Sequence, residues 1–406
     1  MARTLINTRE LVPGMYIDEI KCGLKERVRI GETKNFIISS HNEIDLIAGL
    51  GIQHVYVDPE KSQISRIEVA DGHEKTGAAN LKKETAQTPR TLEDEFYVAR
   101  AILRKAHVAL EYAINSLRAG HKIETHTLKP LLDEIYNSVC ENKDAIVTIC
   151  RKKKKDGYAV EHAISHCALM IAFGQTLGLD KNTLLDLGLG GLFQDVGNIR
   201  VPDTILNKPG KLTPEELEVV RKHPLWGGEI LRDLGDFPES AIAVAMQHHE
   251  RFDGTGYPNK LKENGISLYG QMASIVDVYD ASISIRPYGI AGDPCLVIKN
   301  LYKGAGKLFP SGLVQQFIKT IGIYPVGTLA RLESDKLGIV IKQTSNLTQP
   351  TVRIVYDLKH NCYLPPSDVD LSKVSGKGDK VVQAESPEKW KIDPFRFIFP
   401  ELADDR

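Results

Sequence analysis

A helical pattern runs from Tyr158 to about Ile323, and it restricts the chain to a fold built around a helical bundle. The same stretch carries its polar chemistry in groups. His162 comes first, followed by the Gln194-Asp195 pair, His223, His248-His249-Glu250, and then Asp277 and Asp280. A single histidine on a helix usually has a structural role. Neutral imidazoles and carboxylates on consecutive helices together suit a site for borderline or hard divalent metals, which helix bundles hold in this way.

The flanks read differently. Leu11–Ile20, Asn35–Ser40 and Gln53–Val57 are strand-like, and Asn42–Leu50 reads as a short helix, so residues 1–60 form a small α/β module. Residues 61–90 lose apolar periodicity and read as a linker. A helix starts at Thr91 with Asp94 at its N3 position, and a second runs from Thr127 to about Cys150. This helical connector, 91–150, could be a hairpin, a homodimer interface or the first layer of the next domain. Beyond Tyr324-Pro325-Val326-Gly327, Thr328–Leu332, Leu337–Gln343 and Thr351–Tyr356 alternate like antiparallel strands. Ser367–Arg406 reads as an extended surface tail. The expected fold is mainly α, with a bundle over 151–323, the N-terminal module, and a β-rich segment and tail over 324–406.

Composition narrows the function. Lys and Arg total 52 against 53 Asp and Glu, a net charge of −1, which argues against a polymeric nucleic acid or an anionic membrane as partner. Arg151–Lys155 reads as a solvated helix end before Asp156-Gly157. Met1–Glu10 has three charges and no apolar core, so no secretory signal is expected. Ala163–Leu179 is too short to span a membrane comfortably and reads as a buried helix. The six cysteines are scattered with no C-x-x-C pair, which fits reduced thiols and a cytoplasmic location.

His248-His249-Glu250-Arg251-Phe252-Asp253-Gly254-Thr255-Gly256-Tyr257-Pro258 closely resembles the HH-E-x-x-D-G-x-G-Y-P signature of the HD-GYP family. Val201-Pro202-Asp203, Ile205-Leu206, Lys208-Pro209-Gly210 and Leu212-Thr213 match the segment after that family's His-Asp motif, and Arg286-Pro287-Tyr288 matches its R-P-Y. The resemblance covers about Gly157–Ile323. It implies a helical HD-superfamily bundle and a phosphodiesterase that opens cyclic di-GMP with divalent iron or manganese. Such ions polarise phosphate oxygens and lower the pKa of bound water.

Carried over by position, the resemblance makes His162, Asp195 and Asp277 ligands of a first metal. Asp195 would bridge, as the central catalytic carboxylate, to a second metal held by His223, His248 and His249. Tyr257, Asp280 and Arg286 match substrate-side positions. Four positions depart from the family. Gln194 replaces the motif's histidine and Asn198 its lysine. Tyr158 stands where some members have a glutamate ligand, and Gly289 where a basic residue usually follows R-P-Y. Loss of one electrostatic stabiliser can cost about a hundredfold to a thousandfold in rate. His166, one turn after His162, reads as a core or capping histidine, with replacement of the lost imidazole as the alternative. Lys208 and Lys211 are candidate sources of the charge lost at Asn198.

Three functions are compatible with this pattern. The chain is a phosphodiesterase with weakened or lost hydrolysis and a reduced number of ions, a receptor for cyclic di-GMP or metal, or a scaffold for partners such as diguanylate cyclases. Thr213-Pro214-Glu215-Glu216 is read as a capping box opening the helix that leads to His223. Gly188, Gly190 and Gly191 are read as permitting close helix packing, not phosphate binding.

Overall fold

The computed structural model describes residues 4–8, 11–12, 15–21, 36–38, 54–58, 61–62, 92–151, 158–284, 292–373 and 379–399. The chain divides at Asp94 and Glu95 into two compact units. In the first, β1 (Thr4–Asn7), β2 (Tyr16–Lys21), β3 (Phe36–Ile37) and β4 (His54–Val57) form an antiparallel sheet in the order β1-β4-β2-β3. Leu11, Ile17, Ile38, Val55 and Val57 are buried there. The edge strand β1 is an addition to the sequence reading, too short at four residues to register as a pattern. The expected helix at Asn42–Leu50 and most of the expected linker lie outside the described residues.

The second unit opens with α1 (Leu92–Arg118) and α2 (Lys129–Cys150), joined through Gly120 in the left-handed region. Their apolar faces, including Ile102, Leu110, Leu131, Ile135 and Ile146, share one core with α3 (Tyr158–Thr176) and α4 (Lys181–Phe193). These two helices therefore form a layer of the bundle. α3 supplies Ile164, Cys167, Ala168 and Ile171 to that core, and Leu169, Met170 and Phe173 to a second one. A helix apolar on all sides belongs in an interior, which is where the uncharged run Ala163–Leu179 lies for most of its length. Gly191 lets α4 approach: a Cβ there would lie 2.8 Å from the Cys167 backbone. Among the described residues, no helix is long and apolar enough to cross a membrane. The five described cysteines are free thiols.

Two short helices, α5 (Asp203–Leu206) and α6 (Pro214–Val220), lead to α7 (His223–Leu234) and α8 (Glu239–Gln247). The capping box forms, with Glu216 N–H donating to Thr213 Oγ1 and Thr213 N–H to Glu216. The capped helix ends at Val220, and His223 opens a new helix with Pro224 in its first turn. The second core is completed by α9 (Leu268–Ile283), α10 (Pro294–Gly304) and α11 (Ser311–Ile321).

The C-terminal segment corrects one expectation. The three foreseen strands are β5 (Leu329–Leu332), β6 (Lys336–Lys342) and β7 (Thr351–Asp357), and β8 (Cys362–Asp370) and β9 (Val381–Ala384) extend them to a five-stranded antiparallel sheet, ordered β8-β7-β6-β5-β9. Ser367–Arg406 is therefore not a surface tail over its described length. Ile392, Ile398 and Phe399 are buried, and the Phe399 ring meets Phe96 edge-on at 3.8 Å between centroids. Apolar anchors spread among Pro, Gly and polar residues leave no periodicity, yet they suffice to hold the segment down.

Candidate metal centre

Five structural elements converge on one point. Asp195 follows α4 at the start of a 3-10 turn (Val196–Arg200), His223 begins α7, His248 and His249 follow α8, Asp277 lies on α9, and His162 lies in the first turns of α3. The ligand atoms of Asp195, His223, His248 and His249 all lie within 4.8 Å of one another. Metal–nitrogen and metal–oxygen bonds of about 2.1 Å put opposite donors some 4.2 Å apart, so small adjustments close this group on an ion. Asp195 and His249 keep 32% and 18% of their side chains open, and His223 and His248 are buried.

The hydrogen bonds fix the tautomers. His223 Nδ1–H donates to the Val220 carbonyl at 2.8 Å, and His248 Nδ1–H to that of Ala245 at 2.9 Å. Both Nε2 lone pairs then face one another at 3.1 Å. Facing lone pairs repel unless a cation, a proton or a metal ion, lies between them. Asp195 Oδ1 is 3.2 Å from His223 Nε2 and 3.8 Å from His248 Nε2. Burial opposes charge on Asp195, but the hydrogen bond and charge of His223 hold it far below the usual carboxylate range. Burial likewise opposes protonation of His223, and Asp195 outweighs it, so its pKa is raised. Burial and the neighbouring His249 push His248 well down, keeping it a neutral donor.

The expected first-metal residues are arranged differently. His162 Nε2 lies 3.4 Å from Asp277 Oδ1 and 3.8 Å from Asp195 Oδ2. It lies nearer, at 2.9 Å, to Nε2 of Gln194, which is wholly buried. Asp277 also reaches His249 Nδ1, at 3.3 Å, and against the effect of burial that histidine helps to hold its pKa down.

Asp280 corrects the sequence reading. It is fully buried and has no surface to offer a substrate. One carboxylate oxygen accepts from His162 Nδ1 at 2.5 Å and the other from the Ser165 hydroxyl. Asp277 and Asp280 are three residues apart on one helix, so the first reaches the centre and the second packs behind His162. Ser165, a hydroxyl near the start of an apolar run, is the available signal.

The other expected residues can be placed. The Tyr257 ring lies 4.6 Å from the His249 ring, tilted by 32°, and under the Arg221 guanidinium at 5.6 Å. Burial raises the Tyr257 pKa, keeping its hydroxyl a donor. Tyr158 stacks on His162 at 5.8 Å and brings no carboxylate. Asn198 Nδ2 donates to Asp195 Oδ1 at 3.2 Å, a contact the sequence reading missed. His166 does not join the donor group. It sits in the core, with Nε2 3.4 Å from the Ala273 carbonyl and a pKa lowered to about 4 by burial and His162. Lys208 is paired with both oxygens of Glu216 at 2.7 and 2.8 Å, and so does not replace the lost lysine. Arg286 and Gly289 lie outside the described residues.

Glu250 follows the histidine pair directly in sequence. It turns away from them and accepts from the backbone N–H groups of Asn259 and Leu261 at 2.8 and 3.0 Å, tethering the loop that carries Tyr257. Gly256 fits where a Cβ would lie 2.4 Å from the Arg251 nitrogen and 2.5 Å from the His249 carbonyl, so the loop closes tightly on the histidine pair.

Known proteins resemble this chain in sequence. An HD domain model matches residues 146–309, and a domain of unknown function, DUF3391, matches residues 4–128. A cyclic di-GMP phosphodiesterase of Pseudomonas aeruginosa is 33% identical over 98% of this chain and 96% of its own length. The cyclic di-GMP phosphodiesterase response regulator RpfG of Xanthomonas campestris is 35% identical over 38% of this chain and 41% of its own. A solved HD-GYP-type protein of Bdellovibrio bacteriovorus matches 78% of this chain and 99% of its own, at 17% identity and a TM-score of 0.49. With a near full-length relative and an HD domain over its histidine-bearing helices, the chain belongs to the HD-GYP family.

Proposed function

We propose that this chain is a cytoplasmic cyclic di-GMP phosphodiesterase with slow hydrolysis, acting through divalent iron or manganese. The observation that carries the reading is the pair of Nε2 lone pairs on His223 and His248, facing at 3.1 Å beside the ionised Asp195. That donor set fits a borderline divalent ion. A bound ion would polarise a phosphate oxygen and lower the pKa of water at the site. Asp195 supplies the negative charge that holds the ion, and the backbone carbonyls of Val220 and Ala245 keep His223 and His248 in the ligating tautomer. Tyr257 presents a protonated hydroxyl for a phosphate or base, and Arg286 is assigned to the substrate by its motif.

The slow rate follows from the substitutions. Asn198 is neutral where the family has a lysine, and its amide is spent on Asp195. The same observation favours a second reading, a receptor that binds cyclic di-GMP without turnover. We assign residues 1–60 to signal input and 151–323 to nucleotide chemistry. Diguanylate cyclases and a second copy of the chain are the proposed protein partners.

The test is incubation of protein loaded anaerobically with ferrous iron, or separately with manganese, with cyclic di-GMP, followed by chromatography of products. Turnover lost in Asp195→Ala is expected. Binding of the nucleotide without turnover in either metal form would replace the hydrolase reading with the receptor.

A further inference from the structure

We propose that Gln194 makes this a one-ion centre: its side-chain amide occupies the imidazole nitrogen that a second ion would require. The inference rests on the reading above that Asp195, His223, His248 and His249 hold a metal.

The tautomer of His162 is the starting point. A carboxylate can only accept, so the contact with Asp280 places the His162 hydrogen on Nδ1. Nε2 is left with its lone pair, directed at Gln194. The 2.9 Å separation of the two nitrogens is a good hydrogen-bond length, and only the amide can supply the hydrogen. Turning the amide over would set its carbonyl oxygen against the same lone pair, acceptor against acceptor. With His162 neutral the amide orientation follows, and it leaves Gln194 Oε1 buried without a hydrogen-bond partner.

An ion on His162 would have to sit about 2.1 Å from Nε2 along that lone pair. The Gln194 nitrogen already stands there. Histidine at position 194 could turn a lone pair toward the same point and share an ion. Glutamine instead presents hydrogens, which repel a cation. The remaining oxygens near His162 Nε2, Asp277 Oδ1 at 3.4 Å and Asp195 Oδ2 at 3.8 Å, serve carboxylates already engaged with His249 and His223. The residues around His162 thus do not fit the metal that the family pattern would put there, and the four-donor group does.

Metal stoichiometry tests this independently of turnover. The full chain is stripped, reloaded with Mn2+ under anaerobic conditions, counted by elemental analysis and examined by electron paramagnetic resonance. One ion per chain with an uncoupled Mn2+ spectrum is expected. His162→Ala should keep that ion with its Kd within about threefold. Gln194→His should take up a second ion and show an exchange-coupled pair, and adding His162→Ala to it should return the count to one. Two ions in the unaltered chain, loss of the ion in His162→Ala, or no gain in Gln194→His would overturn the proposal. No ion at all would sink the metal reading with it. One ion without turnover would sustain the stoichiometry while removing the hydrolase reading.

Discussion

Gly197 sets the distance between Asp195 and His223, and one methyl group should break the centre. A Cβ on Gly197 would lie 1.9 Å from the His223 carbonyl oxygen and 2.6 Å from the Gly227 nitrogen, whereas real Cβ contacts do not fall below 3.0 Å. The obstruction is backbone, so no side chain can swing away. The start of α7 must therefore retreat by about 1.1 Å from the turn carrying Asp195. Metal–ligand distances tolerate only about 0.2 Å. Gly197→Ala should weaken Mn2+ binding by about tenfold to a hundredfold, the range for disturbed ligand support. Overpacking of about 1–3 kcal/mol should lower Tm by roughly 1.5–5 °C for a unit of this size. Gly227→Ala is the control, because its new Cβ meets nothing closer than 3.5 Å across the same contact. Titration calorimetry with Mn2+ and thermal unfolding of both variants decide the matter. A Gly197→Ala protein with Kd within twofold of the parent, or a Gly227→Ala protein equally impaired, would refute the reasoning.

Other consequences follow from the same contacts. Glu250→Ala strands two backbone N–H groups, at about 1–3 kcal/mol each, so hydrogen exchange at Asn259 and Leu261 should accelerate and the urea midpoint should fall; unchanged exchange would show that Glu250 does not tether the loop. In the metal-free chain, the raised pKa of His223 contributes stability that is fully present below its unfolded value of about 6.5 and is lost as pH rises through the folded value. An ion must displace that proton, so Mn2+ affinity should climb with pH across this window, and calorimetry in buffers of different ionisation heat should detect proton release. Absence of release near pH 6.5 would mean that His223 is not a ligand. Phe399→Ala should cost about 3–5 kcal/mol in urea unfolding, since the ring is buried against Phe96; a cost under about 0.5 kcal/mol would return the C-terminal segment to the surface.

Residue types and spacing were legible in the sequence; the direction of each polar atom was not. The string His248–Pro258 points to its histidine pair and to Tyr257 because it is local and carries its own turn chemistry. The role of Asp280 depended on where α9 crosses α3. Spacing from Asp277 puts it on the same helix face, but only the crossing buries it under His162 beside Ser165. His166 shows the same limit. Its i+4 relation to His162 is correct, yet α3 is buried on every side, and one further turn carries the ring past the centre to the Ala273 carbonyl. Amphipathic spacing cannot tell which of two buried faces a residue takes.

Gln194 shows how far composition alone falls short. Counted as a ligand, glutamine is a weaker oxygen donor than the imidazole it replaces, and the expected outcome is a second ion held loosely. Counted as a hydrogen-bonding group, it has two hydrogens to give, and His162 has a lone pair that Asp280 has already oriented. The second account removes the second ion instead of weakening it, and it retains the rest of the centre unchanged. His223 and His248 keep their tautomers through the carbonyls of Val220 on α6 and Ala245 on α8. A single substitution can therefore change the number of ions, because position 194 faces His162 while His223 and His248 are held from α6 and α8.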